Sequence, residues 1–340
     1  MIGRTTRATI CQALTVASIV LLASSALVAE EPLGQRIAAA VKRGLPLVEK
    51  AAENYPTHRK CFSCHHQTLP MLAMVCARQA GLGGNEALLT SQAEFTLASF
   101  AGEIEDLRAG RGIGGRALTV SYGLWTLALA NRPADETTTA MVEYLLKTQK
   151  DDGHWEGQAL RPPMEESYAT CTVLAVGGLR RFATDEQKPS IEAAIGKAKV
   201  WLVNRVPENQ EDRAARLWGM HQLIPGSEEF NASRSAMLSA QRPDGGWSQM
   251  AEMESDAYST GQALVVLRAS GLSAAESACQ RAAEFLLKTQ QDDGSWFVAT
   301  RAKPVQVLFD NGDPHGKNQF ISTPATSWAL AGLSLMAEKS

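Results

Sequence analysis

One string of residues limits this chain more than any other, because it occurs twice almost verbatim. Leu145-Leu146-Lys147-Thr148-Gln149-Lys150-Asp151-Asp152-Gly153-His154-Trp155 returns as Leu286-Leu287-Lys288-Thr289-Gln290-Gln291-Asp292-Asp293-Gly294-Ser295-Trp296. A third copy, Gln241-Arg242-Pro243-Asp244-Gly245-Gly246-Trp247, lies between them. Trp155 and Trp247 are 92 residues apart and Trp247 and Trp296 are 49 apart, so a degenerate unit fits midway, near Trp201-Leu202-Val203-Asn204. Repetition on this scale marks a chain built from one supersecondary unit used several times. Each copy ends an amphipathic helix and opens an Asp-Gly turn.

Two kinds of helix alternate along the chain. The segments 166–179 and 256–267 begin with acids and small polar residues and then become apolar nearly all round, as in a helix buried on every side. Their partners, such as 274–290, carry charge on one face and suit an outer layer. The pattern predicts outer helices near 35–54, 85–107, 135–149, 188–205, 230–241 and 274–290. Inner partners are expected near 61–80, 116–131, 166–181, 211–224, 255–271 and 322–338. No strand-like alternation of useful length occurs. Six hairpins can close into a ring without exposed ends, so the expected fold is all-α, an (α/α)6 toroid, with an open solenoid as the alternative.

Gln-x-x-x-Gly-x-Trp at the end of a helical repeat resembles the QW motif of squalene–hopene cyclases and the wider terpene-cyclase and prenyltransferase toroid group. The good copies cover roughly 135–340. The resemblance implies a structural role for Gln149, Trp155, Gln241, Trp247, Gln290 and Trp296: the Gln bonds backbone at helix ends and the Trp packs over it. It does not carry cyclase chemistry across. The Asp-x-Asp-Asp acid motif of those cyclases is missing, and the nearest stretch, Glu254-Ser255-Asp256-Ala257, lacks its last acid. Aromatics are only 6% of the chain, few for a pocket that guides carbocations. The Asp-x-Cys and His of protein prenyltransferases are also absent.

The strongest chemical signal lies elsewhere. Cys61-Phe62-Ser63-Cys64-His65 is a C-x-x-C-H haem-attachment signature, in which two thiols add across the haem vinyls and the histidine takes the iron. Residues 1–29 read as a secretory signal, with Arg4 and Arg7 ahead of an apolar run from about Ala13 to Val28. An exported chain, periplasmic or secreted, is where haem c is attached. Residues 30–340 then form one toroid domain, with the signature hairpin over 30–82 and the repeat portion over 110–340.

On this reading Cys61 and Cys64 form thioethers and His65 is the proximal ligand of one covalent haem c. No Met lies between Met74 and Met141 to serve as a nearby distal ligand. His315, in the long connection near 297–320, is the leading distal candidate, ahead of His154 and His221. Zinc held by Cys61, Cys64, His65 and His66 is an alternative, as is a Cys-x-x-Cys disulfide. Cys76, Cys171 and Cys279 sit on apolar helical faces and are expected to be buried thiols.

Glu165, Glu166, Glu211, Asp212, Glu254 and Asp256 cluster at inner-helix heads. Glu166, Glu254 and Asp256 are weak catalytic candidates, since the helix dipole favours acids there in any case. Net charge is −3 and no basic cluster stands out, which argues against nucleic acid as a partner. Beyond the signal, no stretch is apolar enough for a transmembrane span. A redox protein or haem enzyme that binds a small molecule near the iron, with a small-molecule ligand or a redox partner protein, is the leading functional expectation. A non-catalytic ligand- or partner-binding toroid is the alternative. A cyclase is disfavoured.

Overall fold

In a computed structural model, which describes residues 31–158, 161–303 and 307–337, the described chain is helical apart from two isolated β-bridges. The expected signal over 1–29 lies outside the described residues. The helices are α1 Leu33–His58, α2 Leu69–Gln79, α3 Glu86–Ala101, α4 Ile104–Ala109, α5 Arg116–Leu129, α6 Glu136–Thr148 and α7 Tyr168–Phe182. They continue as α8 Lys188–Asn204, α9 Gln210–Leu223, α10 Glu228–Ser239, α11 Ala257–Ala269, α12 Ser277–Thr289 and α13 Gln319–Ala337. A π-helical turn, Cys64–Thr68, precedes α2, and a short 3-10 turn, Gly316–Asn318, precedes α13.

Many helix starts are written locally. Asn85, Asp135, Ser167, Asn209, Ser227 and Asp256 each accept a hydrogen bond from the backbone N–H three residues on, satisfying one of the orphan donors of a first turn. The expected second outer helix is broken near Gly102 into α3 and α4.

The fold is the expected toroid. Six inner helices, α2, α5, α7, α9, α11 and α13, each touch the next, and α13 packs back on α2. Outer helix α12 likewise reaches α1. Burial separates the layers: sixteen of the nineteen residues of α13 are buried, against four of thirteen in α12. Gly261 on α11 lets α13 approach closely, since a methyl there would lie 2.5 Å from the Ala329 nitrogen.

The three Gln-x-x-x-Gly-x-Trp copies fasten the layers in one repeated geometry. Gln149, Gln241 and Gln290 each donate from Nε2 to the glycine carbonyl of their own turn, at 2.8–2.9 Å. Each also donates to a carbonyl of another outer helix, Ala194 in α8, Ala278 in α12 and Ala40 in α1. The fully buried indoles of Trp155, Trp247 and Trp296 donate to the carbonyls of Leu145, Met237 and Leu286, ten residues back. Their backbone N–H groups donate to Thr172, Thr260 and Thr326 on inner helices. The Gln290 copy closes the ring, because its second acceptor belongs to the first helix.

The motif glycine meets two demands. Gly294 has φ +92°, and a methyl there would sit 2.5 Å from the Arg43 carbonyl oxygen. Gly81 also has positive φ, +71°, but nothing lies within 4 Å of an added methyl. Gly81→Ala should therefore cost only the left-handed conformation, about 1 kcal/mol, whereas Gly294→Ala adds a backbone clash and should cost about 3 kcal/mol. Urea denaturation of the two variants measures both; equal losses would mean the close approach carries no energy.

Candidate functional site

The axis of the ring is filled. Trp125 of α5 packs against Trp218 of α9 and Trp328 of α13, with ring centroids 5.0 and 6.2 Å away. Three alternate inner helices thus meet in an indole plug. The space left is about 10 Å³ toward the helix heads and about 90 Å³ toward their tails. Sites for small organic molecules span about 300–1,000 Å³, so the axis has room for little beyond single waters.

The acids at the inner-helix heads are mostly spent on holding those heads together. Glu166 accepts from Arg301 Nη2 at 2.7 Å, and Arg301 Nε donates to Gln249. Asp256 caps α11 and accepts from Gln249 Nε2, while Asp212 accepts from Ser167 Oγ at 2.6 Å. Glu254 is exposed on the surface. Glu211 faces the axis, buried, and accepts from Thr170, Tyr258 and Gln262 at 2.8–3.0 Å. Burial pushes its pKa up to about 7 despite these three donors.

Two wide openings lie among the described residues: one of about 600 Å³ is bordered by Arg111, Arg116, Tyr144, Lys147, Gln149 and Glu156, and the other faces the cysteines. A cleft of about 410 Å³ is lined by Cys61, Cys64, Phe62, Phe100, Tyr122 and the Gly112–Gly115 turn, with Arg161 and Glu165 at its edge. Behind it lies a recess of about 60 Å³ bordered by His65, His66, Tyr55, Phe309 and Phe320. Cys61, Phe62, Cys64, Thr119, Arg161 and Glu165 border both spaces, so cleft and recess adjoin.

The sequence explains how these groups are presented. Residues 61–63 form no helix, and at Cys64 the chain enters a π-helical turn that puts His65, His66, Gln67 and Thr68 in the interior. Such turns are rare and concentrate at functional sites. Gln67 Oε1 accepts from the Ser63 N–H at 2.7 Å, and Thr68 bonds Thr126 of α5. Cys61 is exposed and lies 3.5 Å from the Tyr55 hydroxyl. Cys64 is partly buried, its Sγ 3.5 Å from His65 Nδ1.

Glu165 arrives from the α6–α7 connection, where Arg161 holds its carboxylate at 3.0 and 3.2 Å. One donor atom each of Cys64, His65 and Glu165 lies within 4.8 Å of the others. Burial, then the Glu165 charge, raises the Cys64 thiol to about 12, and burial raises Glu165. Burial holds His65 well below the usual histidine range, and it takes His66 to about 3, so both rings are neutral at physiological pH. His66 Nδ1 meets Ser63 Oγ at 3.2 Å, whereas its buried Nε2 has no hydrogen-bond partner among the described residues.

The remaining histidines stand apart from this cluster. His315 bonds Ser295 Oγ through Nε2 at 2.8 Å and does not border the cleft or the recess. The long connection reaches the site through Phe309, and the helix after it through Phe320. His154 stacks between Tyr168 and Trp201 and bonds Asp152. His221 packs against Phe230. Arg161 and the two phenylalanines carried no signal in the sequence. Glu165 was visible only as one helix-head acid among several.

Residues 221–307 match the family model of the squalene-hopene cyclase N-terminal domain. No curated protein matches the chain by sequence. Among solved structures, a glycosidase aligns with TM-score 0.59 and 12% identity, over 89% of this chain and 98% of its own. A variant of the type II terpene cyclase MstE from Scytonema, in complex with geranylgeranyl dihydroxybenzoate, aligns with TM-score 0.58 and 13% identity, over 90% and 99%. A protein from Actinoplanes aligns at 0.56 and 15%, over 89% and all of its own chain. The chain therefore has a terpene-cyclase-like helical toroid fold, and identities this low speak for the fold alone. No described helix is long and apolar enough to cross a membrane.

Glu211 gives this arrangement a pH signature. Below pH 4.5 the acid is protonated folded and unfolded alike; between 4.5 and about 7 only the folded chain keeps the proton; above about 7 folding carries the full penalty. Stability from this group is therefore lost as pH rises, by about 3 kcal/mol in all. Glu211→Gln should gain about that much on wild type between pH 4.5 and 8, measured by denaturation at both. A difference that does not change with pH would contradict the buried acid.

Proposed function

We propose that this chain is an exported toroid, periplasmic or secreted, that carries one covalent haem c in its rim cleft and acts as a redox protein or haem enzyme. The observation that carries the reading is that Cys61 and Cys64 both line one wide cleft, with His65 behind them. The cleft's volume and its Phe62, Phe100, Ile113, Leu118 and Tyr122 lining suit a large, flat, mostly apolar group. A neutral imidazole is the form that binds a metal, and burial keeps His65 in that form. When bound, haem supplies one-electron and ligand-binding chemistry at iron.

The chain's own residues divide the remaining work. Cys61 and Cys64 anchor, and the Gln67–Ser63 bond fixes the backbone between them. Tyr55, Phe309 and Phe320 shield the histidine side from water. Arg161, paired with Glu165, borders the cleft and would share its charge with haem carboxylates or an anionic ligand. His315 is turned toward Ser295, so it would be a distal ligand only if the 307–318 connection rearranged; an open sixth position fits the geometry better, and leaves room for a small-molecule ligand. The indole plug and the missing Asp-x-Asp-Asp speak against cyclisation of a long isoprenoid along the axis. A haem-free toroid that binds a small ligand or a partner protein in the same cleft is the second reading, supported by the cleft alone.

Production in a periplasm with haem c maturation, followed by a pyridine haemochrome spectrum, tests the proposal. One haem c per chain is expected, and none in Cys61→Ala/Cys64→Ala. The reduced spectrum of His315→Ala should match wild type if the sixth position is open. A colourless wild-type chain would refute the haem reading and leave the second.

A further inference from the structure

Three donors of different chemistry meet at the floor of the cleft, and only two belong to the Cys-x-x-Cys-His signature. The third, Glu165, comes from a connection about a hundred residues later in the sequence. Cys64 Sγ and His65 Nδ1 are 3.5 Å apart, about the edge of a tetrahedron whose metal bonds measure roughly 2.0–2.3 Å. The Glu165 carboxylate completes a face within 4.8 Å, and although Arg161 bonds both of its oxygens, each oxygen keeps a second lone pair. The recess beside the three donors can take a water, and it is bordered by buried His66, whose Nε2 has no partner among the described residues.

From this we infer that Cys64, His65 and Glu165 form a site for a borderline divalent cation of the zinc class, with a fourth position open toward the recess. Thiolate, imidazole and carboxylate together suit such an ion better than a hard cation such as calcium or magnesium. Three protein ligands with one open position are the pattern of sites that hold a water or substrate, in contrast to closed structural sites. The cation takes the place of the Cys64 thiol proton, which leaves to solvent. Arg161 then orients Glu165 from behind, as outer partners of ligating carboxylates do. The set differs from the one expected from sequence: Glu165 enters, while His66 stays outside as a group able to bond a metal-held water, and Cys61 is not required.

The inference rests on the cleft floor being the functional centre and does not need haem. The two occupants exclude each other, since both draw on Cys64 and His65.

The full chain, made without haem c maturation and stripped with chelator, is titrated with Co²⁺. One equivalent is expected, with sulfur-to-cobalt charge-transfer absorption and the intense visible bands of four-coordinate cobalt. Cys64→Ser should remove the charge-transfer band, Glu165→Gln should weaken binding at least about tenfold, and Cys61→Ser should change neither. Circular dichroism confirms that each variant is folded. A charge-transfer band that survives Cys64→Ser, or is lost equally in Cys61→Ser, would overturn the site; Glu165→Gln binding as tightly as wild type would remove the third ligand. The haemochrome spectrum of the matured chain is a separate measurement, so failure of either reading leaves the other standing.

Discussion

Everything in this ring depends on how one outer helix is tied to another. A helix leaves its last carbonyls unpaired, and a stack of hairpins leaves each outer helix free to slide on its neighbours. The Gln–Gly–Trp turn answers both at once. Its indole returns to a carbonyl of the helix just ended, its backbone N–H reaches an inner-helix threonine, and its glutamine bridges to a separate outer helix. A tryptophan suits the task because it buries a large apolar area and still carries one donor. Only three of the six hairpins have this turn. Elsewhere the chain improvises, with Lys147 reaching the Arg108 carbonyl and Arg216 reaching that of Val203.

Around α7, α9, α11 and α13 the heads are stitched by Ser167–Asp212, Arg301–Glu166 and Arg301–Gln249, and the axis beneath is filled with indole. The cysteine cleft opens beside α5 and the π-helical entrance to α2, and a wider opening lies beside the Gln149 turn. Fold likeness to cyclases and a glycosidase therefore does not locate the chemistry here. The rim cleft presents Cys61, Cys64 and Glu165, with His65 behind them, on a scaffold shared with proteins of other activities.

The architecture was legible because it is periodic. The copies at 145–155 and 286–296, with the apolar inner segments between them, give six hairpins whose limits fall within a few residues of those observed. The break at Gly102 escaped notice because local composition runs helically through it. The site was half legible. The signature exposes two of the three clustered donors, but which helix-head acid joins them depends on the path of the connection through Arg161, which no periodicity encodes. His315 stands apart from the cluster for a related reason: Asp313 bonds both the His315 N–H and Thr323, and the ring meets Ser295. The indole plug was hidden too, since Trp125, Trp218 and Trp328 converge only once the ring is shut.

That shutting joins Gln290 to Ala40, residues near opposite ends of the chain, and seats α13 against α1 and α2. The first hairpin of the ring is thus made before the other five and finished after them, because its neighbours on one side are α12 and α13. Chain contacts this distant close slowly. Until they close, the Cys61–Cys64 segment lacks the Phe309 and Phe320 walls that later enclose its histidines. The order of synthesis thereby gives the two histidines an interval of access that the finished ring withdraws, while Cys61 stays exposed.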